Sequence, residues 1–474
     1  MATKKDLVEA HSFTRRRLVT AFLSGAPGGR EVEPSRPGRT VVGGVALAVL
    51  LVAAAAIGSV LSPRTPADWK QPGLVISKDT GERYVILDEE DGGESELRPV
   101  INVTSAQLLL GVGVKPTIVQ QDALDGESPG EDIGILGAPQ QLPTSSDFIN
   151  TGWTACTAAQ STAMRVHIGT DSGVTGAPDS ATLVRSGGEV WMIAQAYRTA
   201  DASEPEAFRY LVPNSAGRDG MLQDLGLPPA SSARAVSQQW LGLFPQGGPL
   251  GPQTLSFPGA GEVVTAPGLQ PGAKVGDLLE AEDGDLFVFA TPDGEMVPLD
   301  TFERIVYTGT VDAKTWPGST PQGRLGVSPA DTAHWPDAPP SADPVRGETC
   351  AVLHAQEGEP PFVTLATDPT EDHSAAEVEP GDRRATIDPG HGALVNTGDW
   401  TSSTSTTTYV VDNNAKAYSL QGQQTLERLE YDEEATPLIP DAWIEVLNKG
   451  VPLSSQLALC PPVEPDTEPV TECP

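Results

Sequence analysis

The chain has 474 residues, of which 64 are Asp or Glu and 30 are Lys or Arg, so its formal net charge is −34. A polyanion of this size repels phosphate backbones, which argues against a nucleic-acid-binding protein. Glycine (49) and proline (44) make up about a fifth of the residues, a share that indicates many loops but stays below that of unstructured low-complexity chains. With 38% apolar residues, the composition favours several small layered domains over one large globule.

The N-terminal segment is basic. Residues Lys4–Ser24 predict a short helix, with Arg15, Arg16 and Arg17 in its middle. Such a helix can lie on the inner leaflet of a membrane, where basic side chains interact with anionic lipid headgroups. It can equally dock on a cytoplasmic partner, and the sequence does not choose between the two.

The charge then changes sign along the chain, from +4 in residues 1–39 to −38 after residue 63. No charged residue occurs from Thr40 to Pro63, and a helix of the 21 residues from Val41 to Leu61 would span roughly 30 Å, the thickness of the hydrocarbon core. We therefore predict a single transmembrane helix at 40–63; a cleaved signal peptide and a buried core helix are the alternatives. Because positive segments stay inside, we expect a single-pass protein of the cell (inner) membrane with a cytoplasmic N-terminus and an extracytoplasmic C-terminal region.

After the span, four segments share one order of elements: a strand, a tight turn, a second strand and a short helix. The clearest hairpin has strands at Asp285–Ala290 and Glu295–Leu299, followed by a helix start at Asp300 or Thr301. Each unit is too small to fold alone, and such a pattern also arises by chance. The other predicted strand pairs are 73–77 with 83–87, 181–184 with 189–193, and 407–411 with 416–420.

We predict a single transmembrane helix plus a β-rich α+β exported region, in which small strand-turn-strand-helix repeats flank a central β core. The acidic residues cluster in the linkers, which is typical of solvated surfaces. The predicted divisions are 1–39 for the cytoplasmic basic segment, 40–63 for the transmembrane helix, 64–113, 181–226, 276–309 and 393–459 for the four repeats, 114–180, 227–275 and 310–392 for the core, and 460–474 for an acidic proline-rich tail.

The four cysteines are Cys156, Cys350, Cys460 and Cys473, and none belongs to a CxxC pair. Zinc and iron–sulfur sites therefore have little support. An even number of cysteines on the exported side of a membrane instead favours disulfides. Four cysteines allow three pairings, and spacing alone does not choose among them. A local bond between Cys460 and Cys473 would leave Cys156 to pair with Cys350.

No sequence motif assigns a catalytic, cofactor-binding or metal-ligating residue. The glycine-rich segment Gly268–Gly276 lacks the spacing and the Ser or Thr of a phosphate-binding loop. The segment Gly169–Gly173, with His167 close by, weakly resembles a serine-hydrolase nucleophile turn, although a catalytic His seldom lies so near in sequence. Asp388–Gly392 offers a metal or acid–base site, but turn formation explains its residues better.

A series of segments extends along nearly the whole chain: the basic start with Arg15, Arg16 and Arg17, the single span, and residues 83–87, 99–111, 134–143, 153–156, 258–261 and 389–395. In sequence and in order, these segments resemble the EccB family, the bitopic membrane component of the type VII (ESX) secretion system. The resemblance covers nearly the whole chain, which no single short motif does.

The resemblance implies an exported arm of four small repeat domains around a central β-rich core, with a disulfide between Cys156 and Cys350 in that core. It implies an inner-membrane complex with an EccC-type motor ATPase, EccD, EccE and a mycosin protease, and contacts between the exported arms of neighbouring protomers. Cys460 and Cys473 depart from the usual family pattern, so a bond between them is an inference from this sequence only.

The function that we expect is that of a structural, membrane-anchored subunit, which assembles and stabilises the translocation machinery from the extracytoplasmic side. One alternative is an ATP-hydrolysing secretion component, since some family members are described as ATPases; ATP is the one cofactor that the resemblance suggests. The missing phosphate loop and the acidic exported region argue against it. A second alternative is a stand-alone module that binds the cell wall.

Overall fold

The structure is a computed structural model that describes residues 3–24, 41–52, 66, 68–87, 96–198, 202, 204–265, 271–322, 325–341, 347–367, 374–400, 407–432 and 435–463. The chain separates into two compact units, Met1–Thr65 and Pro66–Pro474. Each unit is considered by itself below.

The first unit contains two helices among its described residues. Helix α1 runs over Lys4–Ser24, the bounds predicted from the sequence, and a second helix, α2, covers 41–52. Across the described parts of the chain, no helix combines the length and the apolar character needed to cross a membrane. The second half of the predicted span, residues 53–63, lies outside the described residues.

The second unit is β-rich with short helices. Its strands are β1 (Gly73–Ser77), β2 (Arg83–Leu87), β3 (Glu96–Pro99), β4 (Thr117–Val119), β5 (Trp153–Thr157), β6 (Met164–Ile168), β7 (Thr175–Gly176), β8 (Ala181–Ser186), β9 (Glu189–Ala196), β10 (Glu206–Val212), β11 (Arg234–Ala235), β12 (Leu278–Glu280), β13 (Leu286–Phe289), β14 (Met296–Pro298), β15 (Thr315–Pro317), β16 (Thr349–His354), β17 (Phe362–Thr367), β18 (Arg383–Ile387), β19 (Ala393–Gly398), β20 (Thr407–Val411), β21 (Lys416–Leu420), β22 (Leu438–Pro440) and β23 (Asn448–Lys449).

Its α-helices all have ten residues or fewer in the described ranges. They are α3 (Val103–Leu110), α4 (Gln121–Leu124), α5 (Arg218–Asp224), α6 (Gln238–Gly242), α7 (Thr301–Thr310), α8 (Gln423–Leu429), α9 (Asp441–Glu445) and α10 (Ser455–Ala458). Short 3-10 helices cover Ser145–Asp147, Ala230–Ser232, Pro329–Ala333 and Ala375–Glu377.

Four sheets share one topology. In each, three consecutive strands form an antiparallel meander, and a helical segment then returns the chain so that a fourth strand pairs parallel with the first. The orders are β3-β2-β1-β4, β10-β9-β8-β11, β14-β13-β12-β15 and β21-β20-β19-β22, the last extended by β23 beside β21. The predicted hairpin strands are present in all four, whereas the parallel fourth strand of two or three residues was not predicted. We call these sheets, with their helices, the first to fourth repeats.

The fifth sheet is central in the fold and has the order β18-β6-β5-β16-β17-β7. Its strands come from two separate parts of the chain, 153–176 and 349–387. The intervening segment predicted as core, 227–275, contributes no strand to this sheet within its described residues. Instead Arg234–Ala235 forms the fourth strand of the second repeat. Trp240 and Phe244 pack as fully buried side chains in the core that the second repeat shares with the central sheet.

Buried apolar side chains join the repeats in pairs. One core combines residues of the second and third repeats, such as Met192 and Val306. Another combines the first and fourth repeats, where α3 packs against α8 and α10. A third links the central sheet to the second and fourth repeats through side chains such as Trp153, Trp240 and Trp443. The result is a mixed α+β, β-rich fold of several small sheets around one larger sheet.

Local chemistry explains where the best-predicted helix begins. Asp300 is the N-cap of α7, and its side chain accepts a hydrogen bond from the Glu303 N–H at 2.7 Å. The Glu303 side chain returns the interaction by accepting from the Asp300 N–H at 3.0 Å. This reciprocal capping box satisfies two N–H groups that lack helical partners.

Candidate functional site

A disulfide joins the two chain segments that build the central sheet. Strands β5 and β16 are antiparallel neighbours, and Cys156 lies directly opposite Cys350. Their sulfur atoms are bonded, and both residues are buried. The pairing implied by the resemblance is therefore confirmed.

The second predicted bond is only partly described. Cys460 is buried and belongs to a disulfide, and its carbonyl oxygen accepts a hydrogen bond from the Gly134 N–H at 3.0 Å. Cys473 lies outside the described residues, so the bond between Cys460 and Cys473 stays a prediction.

Two motifs that the sequence keeps more than 200 residues apart meet at one edge of the central sheet. Strand β6 pairs in parallel with β18, which places His167 beside Thr386. The His167 Nε2 atom lies 3.4 Å from Asp388 Oδ1. The other carboxylate oxygen of Asp388 accepts hydrogen bonds from the Thr170 N–H at 2.9 Å and from the Thr170 hydroxyl at 3.1 Å.

The electrostatics of this cluster stabilise an ionised carboxylate. Donation by the Thr170 N–H is the largest cause, and it holds the pKa of Asp388 below its usual range. Gly169 permits the close approach, because a Cβ there would stand 2.2 Å from His167 Nε2. The cluster therefore fixes the loop after β6 to the loop after β18.

The geometry of this cluster differs from that of a hydrolase triad. In a triad the imidazole lies between the carboxylate and the nucleophilic hydroxyl, so that it can accept the hydroxyl proton. Here the Asp388 carboxylate lies between His167 and the Thr170 hydroxyl, and His167 is only 4% exposed. The Nδ1 atom of His167 faces the Thr386 hydroxyl at 3.2 Å. The arrangement suits a structural lock between two loops.

The glycine-rich candidate Gly268–Gly276 is described only from residue 271 onward. The Lys274 N–H donates to the Asp277 carboxylate at 3.0 Å, and the Tyr307 hydroxyl donates to the Gly276 carbonyl oxygen at 2.6 Å. These bonds attach the described part of the segment to the third repeat. Within the residues that the structure covers, no group of three His, Cys, Asp or Glu side chains has the geometry of a metal site.

Arg15, Arg16 and Arg17 lie on α1, and all three are exposed. Several apolar side chains of the same helix are exposed too, among them Phe13 and Phe22. The helix thus exposes both basic and apolar side chains, and its contact with a membrane or a cytoplasmic partner stays a prediction.

Sequence reasoning missed one ionic junction. The guanidinium of Arg198, after β9, donates from Nε and Nη2 to Glu206 Oε2 at 2.9 and 2.6 Å. It also donates to the carbonyl oxygen of Trp400 at 3.0 Å and to that of Pro361 at 3.3 Å. One side chain thus ties the second repeat to the central sheet and to the fourth repeat. The one available signal was an arginine directly before the acidic linker at 201–206.

Solved structures define the class of this fold. The chain superposes on a chain of an intact ESX-5 inner membrane complex with a TM-score of 0.58 at 22% identity, covering 100% of this chain and 98% of that one. It superposes on a chain of the EccB3 dimer from the ESX-3 core complex with a TM-score of 0.61 at 19% identity, covering 82% and 99%. The fold is that of a component of ESX membrane complexes.

The family follows from the sequence match. The family model described as "Type VII secretion system ESX-1, transport TM domain B" matches residues 1–462. The chain therefore belongs to the EccB family of type VII secretion systems, as its motifs indicated.

Individual relatives match over shorter stretches. The ESX-1 secretion system ATPase EccB1 of Mycolicibacterium smegmatis is 29% identical over 269 residues, which are 54% of this chain and 51% of that protein. The ESX-3 secretion system ATPase EccB3 of Mycobacterium tuberculosis is 34% identical over 174 residues, or 33% and 31%. The chain spans about half the length of the first of these relatives, and less of the second.

Proposed function

We propose that the protein is a structural subunit of a type VII secretion complex, which assembles and stabilises the translocation machinery from the extracytoplasmic side of the membrane. The observation that carries this proposal is the family match over residues 1–462. The paired repeats around one sheet support it, because their small sheets leave several short strand edges. Such edges readily pair with neighbouring chains.

Membrane anchorage is part of the proposal. The uncharged residues 40–63 separate a basic segment from an acidic one, and 41–52 are helical. A single helix over 40–63 would place α1 in the cytoplasm and the β-rich unit outside. The partners we propose are an EccC-type motor ATPase, EccD, EccE and a mycosin protease, together with further copies of this chain.

Co-purification tests the structural role. An affinity-tagged full chain expressed in its host should retain EccC- and EccD-type partners after detergent extraction. A variant that lacks residues 1–63 should lose them, because the proposed anchor and the basic helix are gone. Capture of peptidoglycan by the full chain without any of these partners would favour a stand-alone cell-wall module and contradict the proposal.

ATP hydrolysis is the alternative of a different class, since the relatives' names contain the word ATPase. The test is ATP turnover by the purified full chain, compared with a Lys274→Ala variant in the glycine-rich segment. We expect no turnover above the background of a mock purification. Turnover that co-purifies with the chain and is lost in the variant would replace the structural proposal with an enzymatic one.

A further inference from the structure

Residues 328–337, which we call the strap, join the second repeat to the third. The Tyr210 hydroxyl of β10 donates to the carbonyl oxygen of His334. The Gly248 N–H donates to the Ala333 carbonyl oxygen at 2.9 Å, and the Trp335 indole N–H donates to the Gly248 carbonyl oxygen at 2.9 Å. One end of the strap is therefore bonded to the second repeat.

The other end is bonded to the third repeat through a buried carboxylate. The Ser328 hydroxyl donates to Glu303 Oε1 on α7, and Ser328 also caps the short helix Pro329–Ala333 by accepting from the Ala330 N–H at 3.2 Å. The Trp335 ring contacts Phe302 edge-on, with 5.7 Å between centroids. Glu303 thus lies at the junction between the strap and α7.

The charges that act on the buried Glu303 carboxylate are of one sign. Glu303 is only 3% exposed, and the charges that act on it belong to Asp331 and Asp337 of the strap. Asp300 at the helix cap is hydrogen-bonded to Glu303 through the capping box and interacts with its charge. Helix α5, which packs against α7, carries Arg218, Asp219 and Asp224. Its one arginine lies 3.7 Å from the neighbouring Asp219 carboxylate.

We propose that the strap is a proton-responsive clamp: proton uptake by the carboxylates at its junction with α7 tightens its hold between the second and third repeats. Burial and the neighbouring acids favour this direction, because a buried carboxylate in a group of four acids is less favourable charged than neutral. This effect outweighs the hydrogen bonds that Glu303 accepts from Ser328 and Asp300, which favour the charged form. The hydrogen bond with Ser328 survives protonation, since the hydroxyl can donate or accept.

The pKa values give the direction of the pH effect and the pH range in which it occurs. Burial raises the pKa of Glu303, and desolvation raises the pKa of Asp300 to about 6. Groups whose pKa is higher in the folded state bind more protons there than in the unfolded state. The stability of the junction should therefore rise as the pH falls from 7 to about 5.

His334 on the strap acts in the opposite direction. Burial lowers its pKa, with the Arg198 charge as the second cause. Its proton uptake in the folded state is thus suppressed, and this cost grows as the pH falls below about 6.5. Variants at the acidic end separate the two effects, because they leave His334 unchanged.

Hydrogen exchange of the purified full chain at pH 7 and pH 5, corrected for intrinsic rates, tests the clamp. Protection of peptides covering 325–341 should increase about tenfold or more on acidification, since one unit of pKa displacement corresponds to a factor of ten. In Asp300→Asn/Glu303→Gln, which keeps residues suited to the capping box, protection should be high at pH 7 and should no longer increase with acidification.

The matched control is Asp219→Asn on α5, which removes a carboxylate outside the junction and should keep the wild-type response. Unchanged protection of 325–341 between the two pH values in the wild-type chain would overturn the clamp. A wild-type response that persists in the double variant would overturn it as well. If the double variant fails to fold, Asp300→Asn alone tests the clamp, and about half of the wild-type increase in protection should then be lost.

Discussion

Gly217 and Gly309 lie against each other where α5 of the second repeat crosses α7 of the third: a Cβ at position 217 would stand 2.3 Å from the Gly309 carbonyl oxygen. A Cβ at position 309 would in turn stand 2.7 Å from the Met221 Cβ atom. The two repeats therefore approach at backbone distance, which only residues without a side chain allow. This contact and the strap combine two small sheets into one packing unit.

Gly309→Ala should destabilise the protein. The added methyl group overlaps Met221, and relieving the overlap requires the two helices to separate, at a cost of about 1–3 kcal/mol. Urea unfolding followed by tryptophan fluorescence measures the change. The control is Gly220→Ala, because a Cβ there meets nothing within 4 Å and alanine favours the helix by about 1 kcal/mol. Equal effects of the two substitutions would contradict the close contact.

Removing the central disulfide should cost about 2–5 kcal/mol, because the bond closes a long loop in the unfolded chain. Cys156 and Cys350 are 194 residues apart. The double variant Cys156→Ala/Cys350→Ala avoids a free thiol, and its thermal midpoint should fall relative to that of the oxidised wild-type chain. A midpoint equal to that of the wild type would show that the bond contributes nothing.

Peptide mapping under non-reducing conditions checks both pairings. We expect one linked peptide pair containing Cys156 and Cys350, and a second containing Cys460 and Cys473. The second pairing is local, because only twelve residues separate the two cysteines. Alkylation of Cys473 without prior reduction would show a free thiol there and contradict the bond between Cys460 and Cys473.

Arg198→Ala should destabilise the junction of three segments by about 2–4 kcal/mol, because it leaves the Glu206 carboxylate buried without its counter-charge. Arg198→Lys should lower the stability less than Arg198→Ala does, because an ammonium keeps the positive charge although it cannot reach all three acceptors. Chemical denaturation gives the magnitudes. In Arg198→Ala/Glu206→Gln the loss should be smaller than the sum of the single losses; strict additivity would mean that the two side chains do not interact.

Asp388→Asn should reveal the lock between the loops after β6 and β18. The pKa of Asp388 is lowered in the fold, so its contribution is fully present above the unfolded value and is lost as the pH falls through the lower folded value. We expect the substitution to lower the free energy of unfolding by about 1–2 kcal/mol at pH 7, and by less below about pH 4. Asp179→Asn, at an exposed position, should have little effect at either pH.

Local patterns in the sequence were sufficient for the elements that local forces determine. Helix α1 and the hairpin strands follow from side-chain periodicity and turn residues, and the start of α7 follows from the capping residues Asp300 and Glu303. The family motifs identified the Cys156–Cys350 pair, which spacing alone left open. The charge reversal between residues 39 and 63 predicted a membrane span, which stays a prediction, because only 41–52 of it is described as helix.

Tertiary structure alone decided how these elements combine. The parallel fourth strand of each repeat has only two or three residues, too few to show a period. Its place depends on partners tens of residues away. The approach of Gly217 to Gly309, the hydrogen bonds of Arg198 to the carbonyl oxygens of Trp400 and Pro361, and the meeting of His167 with Asp388 are contacts between distant segments. A sequence carries composition and local preference, whereas such contacts arise only when packing brings remote segments together.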